Sequence, residues 1–125
     1  MNLALSTFAH LLGGTSVLWF TDNDGVLFSM LKGASRSPEI NSSVGQFWLQ
    51  AACLSMAPFL GRVASESNLA DGPSRSDFSM MRAIGAECVK PAVPDWFHDL
   101  WGIEAEIAEF LSPESPIMRG VFPEL

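Results

Sequence analysis

Two aspartates follow short apolar runs at positions that suit metal-dependent chemistry. Asp22 comes directly after the β-branched and aromatic run Ser16–Thr21, and Asp71 lies just beyond a second alternating run, Phe59–Ser65. In an open α/β sheet, ligands bind at the carboxyl ends of the strands. Two parallel strands with a right-handed crossover bring both carboxylates to one edge, where they suit Mg²⁺ and phosphodiester hydrolysis. Each aspartate taken singly also suits a turn or a helix cap.

The cysteines and histidines, the other residues with reactive or metal-binding side chains, do not occur at the spacings of known metal or catalytic motifs. Cys53 and Cys88 lie far apart without a C-x-x-C pattern, which predicts two free thiols. His10 and His98 have no cysteine or serine at a telling spacing, so we expect surface or core roles for both. These residues give no second candidate for a reactive site.

The elements that position Asp22 alternate between helical and strand patterns. Apolar residues at near-helical spacing predict a helix over residues 3–12 that ends at a glycine pair. The run Ser16–Thr21 carries apolar side chains on both faces, which predicts a strand covered on both sides. The residues after it suit a strand-end turn and the cap of a helix that ends near Gly33.

The elements that position Asp71 repeat this order. Pro38 opens a predicted helix with a 3.6-residue period, and Pro58 is expected to end it. The strand Phe59–Ser65, a turn-rich segment and a helix around residues 78–84 follow. The order helix, strand, helix, helix, strand, helix predicts an α/β domain with two neighbouring parallel strands.

The last third of the chain has a different pattern. Apolar residues at helical spacing run from Trp96 to Phe110, and the glutamates among them are expected to face water. Residues 112–125 are rich in proline and are predicted to form a loose tail. We therefore divide the chain into a domain over residues 1–86 and a helical extension with a tail over residues 87–125.

Composition and charge limit the class of protein. The chain has 125 residues, 48% of them hydrophobic, which suits one packed domain. Residues 1–65 are neutral, whereas residues 66–125 hold eleven acidic and four basic residues and so account for the net charge of −7. An acidic chain is a poor autonomous binder of nucleic acid, and the aromatic cluster over residues 96–101 is expected to pack rather than stack on bases.

The amino-terminal segment is apolar, and its pattern can be compared with that of a signal peptide or a membrane span. Residues 1–20 are apolar but lack a basic leader, and a histidine and two glycines interrupt them. No apolar run reaches the roughly 18 residues of a membrane span. We therefore expect an intracellular protein with no membrane partner.

The two aspartate segments resemble motifs of one family. The segment from Val63 to Arg75 reads V-A-S-x-x-N-L-A-D-G-P-S-R, which resembles the motif closing the ribonuclease H domains of long-terminal-repeat retrotransposon reverse transcriptases. The first strand and its turn read V-L-W-F-T-D-N, similar to the same family's strand ending in T-D-N or T-D-S. The intervening L-K-G-x-S-x-S-P-E-I also reads like this group, and the resemblance extends from about Leu3 to Arg75.

The resemblance assigns roles residue by residue. It implies that Asp22 is the third and Asp71 the fourth carboxylate of a Mg²⁺-binding acidic quartet, and that the substrate is an RNA–DNA hybrid or DNA cut by an endonuclease. Asn23 resembles the neighbour that caps the following helix. Arg75 corresponds to a residue that holds the loop or touches a backbone phosphate. Asp24 has no counterpart in the family and is expected to be a cap or solvated.

The chain also departs from the family pattern. That fold begins with a three-stranded antiparallel meander bearing the first Asp, followed by a helix bearing a Glu about 25 residues before the T-D-N aspartate. No carboxylate precedes Asp22 in this sequence. The resemblance therefore implies a truncated ribonuclease H-like fold in which two of four carboxylates are lacking, with weak Mg²⁺ binding and no activity by the chain alone.

Two alternatives remain open from the sequence. One is a non-catalytic interaction module, in which the exposed sheet edge left without the meander recruits the missing half-domain, another chain or a second copy. The other is a gene model that begins too late, so that the natural product is a full reverse transcriptase.

Overall fold

The computed structural model describes residues 1–96, and these form a mixed α/β fold with two strands and flanking helices. A one-turn 3-10 helix, Ser65–Ser67, separates the second strand from the short helices that follow it. The remaining elements, in chain order, are α1 (Asn2–Thr7), α2 (Ala9–Leu12), β1 (Ser16–Thr21), α3 (Asp24–Lys32), α4 (Pro38–Cys53), β2 (Ala57–Arg62), α5 (Asp71–Ser74) and α6 (Ser79–Ala83).

The two strands are parallel and pair in register along their whole length. Ser16 lies opposite Ala57, and Thr21 lies opposite Arg62. Both strands therefore end at the same edge of the sheet. The predicted pair of neighbouring parallel strands is confirmed.

Pro58 lies inside β2, so the prediction that it ends α4 was wrong. The helix ends at Cys53, and β2 begins at Ala57 rather than at residue 59. The N–H of Ala57 donates to the carbonyl of Thr15, the residue just before β1, at 2.9 Å. Because successive N–H groups of a strand alternate in direction, Pro58 sits where an N–H would point away from β1. A proline is tolerated on that outer edge.

The core lies between one face of the sheet and the long helix α4. Phe47 is 1% exposed, and its ring meets the rings of Trp19 and Trp48 edge to face at 5.7 and 5.5 Å. Helices α3 and α4 pack against the strands, and α1 packs against α4. The buried hydrophobic cluster consists of Leu5, Met30, Val44, Phe47, Ala51 and Met56.

The other face of the sheet is exposed within the described part of the chain, so cover on both sides of β1 is seen for one face and stays a prediction for the other. Leu18 and Phe20 are 69% and 63% exposed, whereas the alternate residues of β1 face the core. Phe59 on β2 is 57% exposed. Apolar side chains on both faces of a strand predict burial on both, and among residues 1–96 only the face that carries Val17 and Trp19 packs against the buried cluster.

The helix boundaries near the sites agree with the sequence in most places. Gly33 ends α3 in the left-handed conformation with φ 72°, which a residue without Cβ adopts without strain. The first predicted helix is divided at Phe8 into α1 and α2. Helix α6 lies within the predicted range, whereas α5 was missed. The predicted helix ending at Phe110 and the tail over residues 112–125 lie outside the described residues.

Candidate functional site

The first half of the candidate site is the turn between β1 and α3. Asp22 follows the last residue of β1 directly and is half-buried. The Asn23 side chain accepts a hydrogen bond from the backbone N–H of Val26 at 3.0 Å, and so caps α3 as the sequence predicted. The N–H of Asn23 donates to Thr21 Oγ1 at 3.2 Å. These two bonds fix the backbone on both sides of Asp22.

A charged pair joins this turn to the end of β2. Arg62 Nε donates to Asp24 Oδ1 at 2.6 Å, with side chains 53% and 57% exposed. Because Arg62 lies opposite Thr21 in the sheet register, the pair connects the two strand ends. Asp24 is thus the first residue of α3 and a partner of Arg62, and Asn23 rather than Asp24 provides the cap.

The second half of the candidate site is the loop that begins with Asp71, the first residue of the one-turn helix α5. Arg75 contacts the Asp71 carboxylate at 3.2 Å, and the Arg75 side chain is 76% exposed. A Cβ on Gly72 would lie 2.9 Å from the backbone oxygen of Asp77, so the close approach of the two backbone segments requires glycine. Arg75 therefore contacts the loop that carries Asp71, one of the two roles that the resemblance implies for it.

The charge of Asp77, in the same loop, is stabilised by its near neighbour Ser79. The Ser79 hydroxyl and backbone N–H hold the pKa of the Asp77 carboxyl below its ordinary range. The N–H of Ser79 donates to Asp77 Oδ1 at 3.0 Å. Asp77 therefore helps to start α6, which is a structural role.

The strand register places the ends of β1 and β2 at the same edge of the sheet, and the two aspartates follow these ends at different separations along the chain. Asp22 follows β1 at once, whereas Asp71 comes after β2, the 3-10 helix and a turn. The side chain of Asp71 is 37% exposed, so it stays partly accessible. Among residues 1–96, no group of three or more His, Cys, Asp or Glu side chains is arranged to hold a metal ion.

The weaker candidates lie apart from this edge. His10 is exposed on α2. Cys53 and Cys88 are both free and exposed, in agreement with the predicted free thiols. Partial burial raises the pKa of the Cys88 thiol, which disfavours the reactive thiolate. His98 lies outside the described residues.

Sequence reasoning missed the contribution of two residues. No sequence motif marks Arg62, but its place at the end of β2 opposite Thr21 puts it within reach of Asp24 in the first turn of α3. Gly72 belongs to the segment A-D-G-P-S-R, and nothing in that segment signals how closely the Asp77 carbonyl approaches it.

Comparison with known proteins adds no family assignment. The chain matches no protein-family model, no curated protein and no solved structure. Within residues 1–96, no helix is both long enough and apolar enough to cross a lipid bilayer.

Proposed function

We propose that this chain is a ribonuclease H-like fragment of a retroelement reverse transcriptase, inactive as a nuclease by itself. In this proposal Asp22 and Asp71 are the third and fourth carboxylates of a Mg²⁺ site. The substrate class is an RNA–DNA hybrid or DNA. The proposal begins from the two sequence motifs, in the order in which the retrotransposon family carries them.

The parallel, in-register pairing of β1 and β2 is the observation that carries the proposal. Both motifs follow these strands, and Thr21 lies opposite Arg62 at the edge where the strands end. If the two strands were antiparallel or far apart, the ends that lead into the two motifs would lie in different parts of the molecule. The cap provided by Asn23 and the contact between Asp71 and Arg75 also match the roles expected of those positions.

Inactivity by itself follows from the number of carboxylates. Two-metal hydrolysis needs ligands that hold both ions about 4 Å apart and neutralise the charge that develops on the phosphate. Two aspartates leave most of the coordination sphere of Mg²⁺ to water. We therefore expect weak binding of Mg²⁺ and no productive orientation of a phosphodiester.

The proposal is tested by hybrid cleavage with and without completion of the fold. The N-terminal half of a long-terminal-repeat ribonuclease H domain, carrying the meander and the first two carboxylates, is fused ahead of Met1. We expect Mg²⁺-dependent cleavage of an RNA–DNA hybrid by the fusion and none by the chain alone. The Asp71→Ala fusion should lose the activity, whereas an Asp24→Ala fusion should keep it.

Two outcomes would overturn the proposal. Cleavage by the unfused chain that Asp71→Ala abolishes would show that the two aspartates suffice. If the folded fusion does not cleave the hybrid, or if its cleavage does not depend on Asp71, then Asp71 is not the fourth carboxylate of a metal site.

A second candidate function is a non-catalytic interaction module, favoured by the free edge of β1. In the described residues β1 pairs only with β2, so the backbone N–H and C=O groups of Ser16, Leu18 and Phe20 point away from any strand. The outer edge of β2 lacks one donor at Pro58 and is the poorer template. A partner would therefore add a strand beside β1.

Size-exclusion chromatography with light scattering tests this second candidate. Self-association through the edge predicts a dimer that a proline substitution, Leu18→Pro, returns to a monomer. The matched substitution Leu18→Ala, which keeps the N–H, should leave the dimer intact. A wild-type chain that stays monomeric over a wide range of concentrations would argue against self-association through this edge.

A further inference from the structure

An apolar cavity of about 340 Å³ is lined by helices α1, α3 and α4. Cavities of roughly 300–1,000 Å³ with mainly apolar walls are typical of small-molecule sites. The amide of Asn2 in this wall is already engaged, because its Nδ2 donates to the Ser43 carbonyl at 2.9 Å and its Oδ1 accepts from Gln50 Nε2 at 3.3 Å. The apolar side chains of the wall belong to Leu3, Val26, Met30, Ile40, Val44 and Phe47. This cavity therefore suits an apolar group.

A second cavity, of about 370 Å³, lies beside α3 and the loop that follows it. Its wall consists of Phe28, Ser29, Lys32, Ala34, Ser35 and Arg36. Lys32 and Arg36 are both exposed, and neither forms an ion pair within residues 1–96. Glu39, the acidic residue nearest to Arg36 in the sequence, accepts a hydrogen bond from the Ser37 hydroxyl at 2.6 Å. Two cations that line one cavity suit an anion.

The two cavities adjoin on α3, because Ser29 lines both of them. Val26 in the apolar cavity lies one helical turn before Ser29, and Lys32 in the basic cavity lies one turn after it. These three residues form a row along one face of the helix, about 9 Å long. A single ligand can therefore contact the apolar wall and the cations together.

We propose that the adjoining cavities bind an amphipathic anion, and that its simplest form is an alkyl carboxylate of medium chain length. The alkyl chain lies in the apolar cavity, and the carboxylate lies between Lys32 and Arg36. The hydroxyls of Ser29 and Ser35 line the basic cavity and are further donors for the carboxylate. This inference is independent of the nuclease proposal, because Lys32 is at the opposite end of α3 from Asp22.

The combination of the two cavities favours an amphipathic ligand over a purely apolar or a purely ionic one. A hydrocarbon would fill the apolar cavity without contacting the cations, and a small inorganic anion would leave the apolar wall exposed to water. Each methylene that enters an apolar cavity tightens binding about fourfold. Two exposed cations add on the order of tenfold for a carboxylate, because solvent screens them.

Isothermal titration calorimetry of the full chain with octanoate, decanoate and decanol, all below their micellar concentrations, tests the proposal. Decanoate should bind about fifteenfold tighter than octanoate, because it buries two more methylenes. Decanol has the same chain length without the charge and should bind about tenfold more weakly than decanoate. Acetate, which has the carboxylate without the chain, should not bind detectably.

Removal of the two cations tests the position of the carboxylate. The double variant Lys32→Gln with Arg36→Gln should weaken decanoate binding about tenfold and leave decanol binding unchanged. The matched control, Arg82→Gln with Lys90→Gln, removes the same charge from exposed residues that line neither cavity. This control should bind decanoate as the wild type does.

Filling the apolar cavity tests the position of the chain. Val26→Trp, at a position 39% exposed, should abolish binding of decanoate and decanol alike. Circular dichroism checks that the variant folds, and Ile40→Trp, at a position 43% exposed, provides a second variant on another helix. The control Leu49→Trp, at a position on α4 that is 58% exposed and outside the cavity, should keep the affinity for decanoate.

Several results would overturn the proposal. These are no binding of decanoate, equal affinities for decanoate and decanol, and decanoate binding that persists in folded Val26→Trp and Ile40→Trp. Sedimentation with phosphatidylglycerol vesicles separates a membrane surface from a free ligand. Binding to the vesicles without binding of decanoate would assign the cations to a membrane instead.

Discussion

At the residue scale, short polar contacts set the backbone around the candidate site. The Asn23 side chain accepts a hydrogen bond from the backbone N–H of Val26, and Arg62 forms an ion pair with Asp24. Neither Asn23 nor Asp24 can therefore bind a metal ion without losing that interaction. Asp22 lies between these contacts and makes neither of them. The chemistry assigned to this turn therefore depends on Asp22.

Replacing Asn23 should destabilise the fold measurably. Asn23→Ala removes the side-chain acceptor for Val26 and should lower the free energy of unfolding by about 1 kcal/mol, measured by urea denaturation. Asn23→Ser keeps a capping oxygen and should retain most of the stability. Equal losses in the two variants would show that the cap does not stabilise α3.

Glu39, in the first turn of α4, should make stability depend on pH. The Ser37 hydroxyl donates to Glu39 Oε2 at 2.6 Å and is the main reason why the pKa of this carboxyl lies below its ordinary value. Because the folded pKa is depressed, the stabilisation is present above the ordinary carboxyl pKa near about 4.3 and is lost as pH falls through the folded pKa.

The measurement is thermal unfolding as a function of pH. Glu39→Gln should have a flatter dependence of Tm on pH than the wild type between about pH 5 and pH 3. Glu66→Gln, in the 3-10 turn, is the matched control and should follow the wild type. A Glu39→Gln profile parallel to that of the wild type would contradict the assignment.

At the scale of elements, α4 organises the fold. It contributes Val44, Phe47 and Ala51 to the core and packs against both α1 and the sheet. Its start is defined by Ser37, whose side chain accepts from the N–H of Ile40, and by a proline in the first turn. Loss of packing on this helix should therefore affect the whole fold.

Phe47→Ala should be far more damaging than an equivalent change on the surface. Removal of this buried ring should cost about 3–5 kcal/mol, a large part of the 5–15 kcal/mol typical of a whole domain. Phe28→Ala, at a position 66% exposed on α3, should change stability by less than about 0.5 kcal/mol. Circular dichroism during thermal unfolding measures both, and similar losses would contradict the described core.

The sequence predicted the elements whose signals are local. The run Ser16–Thr21 predicted both ends of β1 correctly. Gly33 and Pro38 predicted a helix end and a helix start, because their backbone preferences act within one turn. Asn23 was recognisable as a cap for the same reason.

Features that depend on distant neighbours were not predictable. The sequence alone places a helix end at Pro58, because only the pairing partner of β2 shows that the missing N–H of this proline lies on the outer edge. The elements that cover each face of β1 were not predictable either, because apolar side chains do not reveal what covers them. For the candidate site, the sequence predicted a shared edge, whereas the pairing of Arg62 with Asp24 emerged from the sheet register.

At the scale of the whole molecule, charge is segregated along the chain. The neutral first half carries both strands, and the second half carries the entire net charge of −7. A nucleic-acid partner would have to approach a chain whose long-range field repels phosphates. Any contact of Arg75 with a phosphate would therefore need additional cations from another part of a larger protein.

The chain alone should bind an RNA–DNA hybrid very weakly. Fluorescence anisotropy at physiological salt should give a dissociation constant weaker than about 10⁻⁴ M, the weak limit of typical non-specific binding. Arg75→Ala should leave this result unchanged, because one exposed cation cannot offset the net charge. Micromolar binding that Arg75→Ala weakens would contradict this expectation.

Paramagnetic broadening by Mn²⁺ in amide NMR spectra of the full chain tests most directly whether the two aspartates share one metal site. Substoichiometric Mn²⁺ should broaden the amide signals around Asp22 and Asp71 together. Asp71→Asn should reduce the broadening around both residues, whereas the control Glu66→Gln should leave it unchanged. If Asp71→Asn affects only its own neighbourhood and the signals around Asp22 broaden as before, the two carboxylates do not form one site and the nuclease ancestry is contradicted.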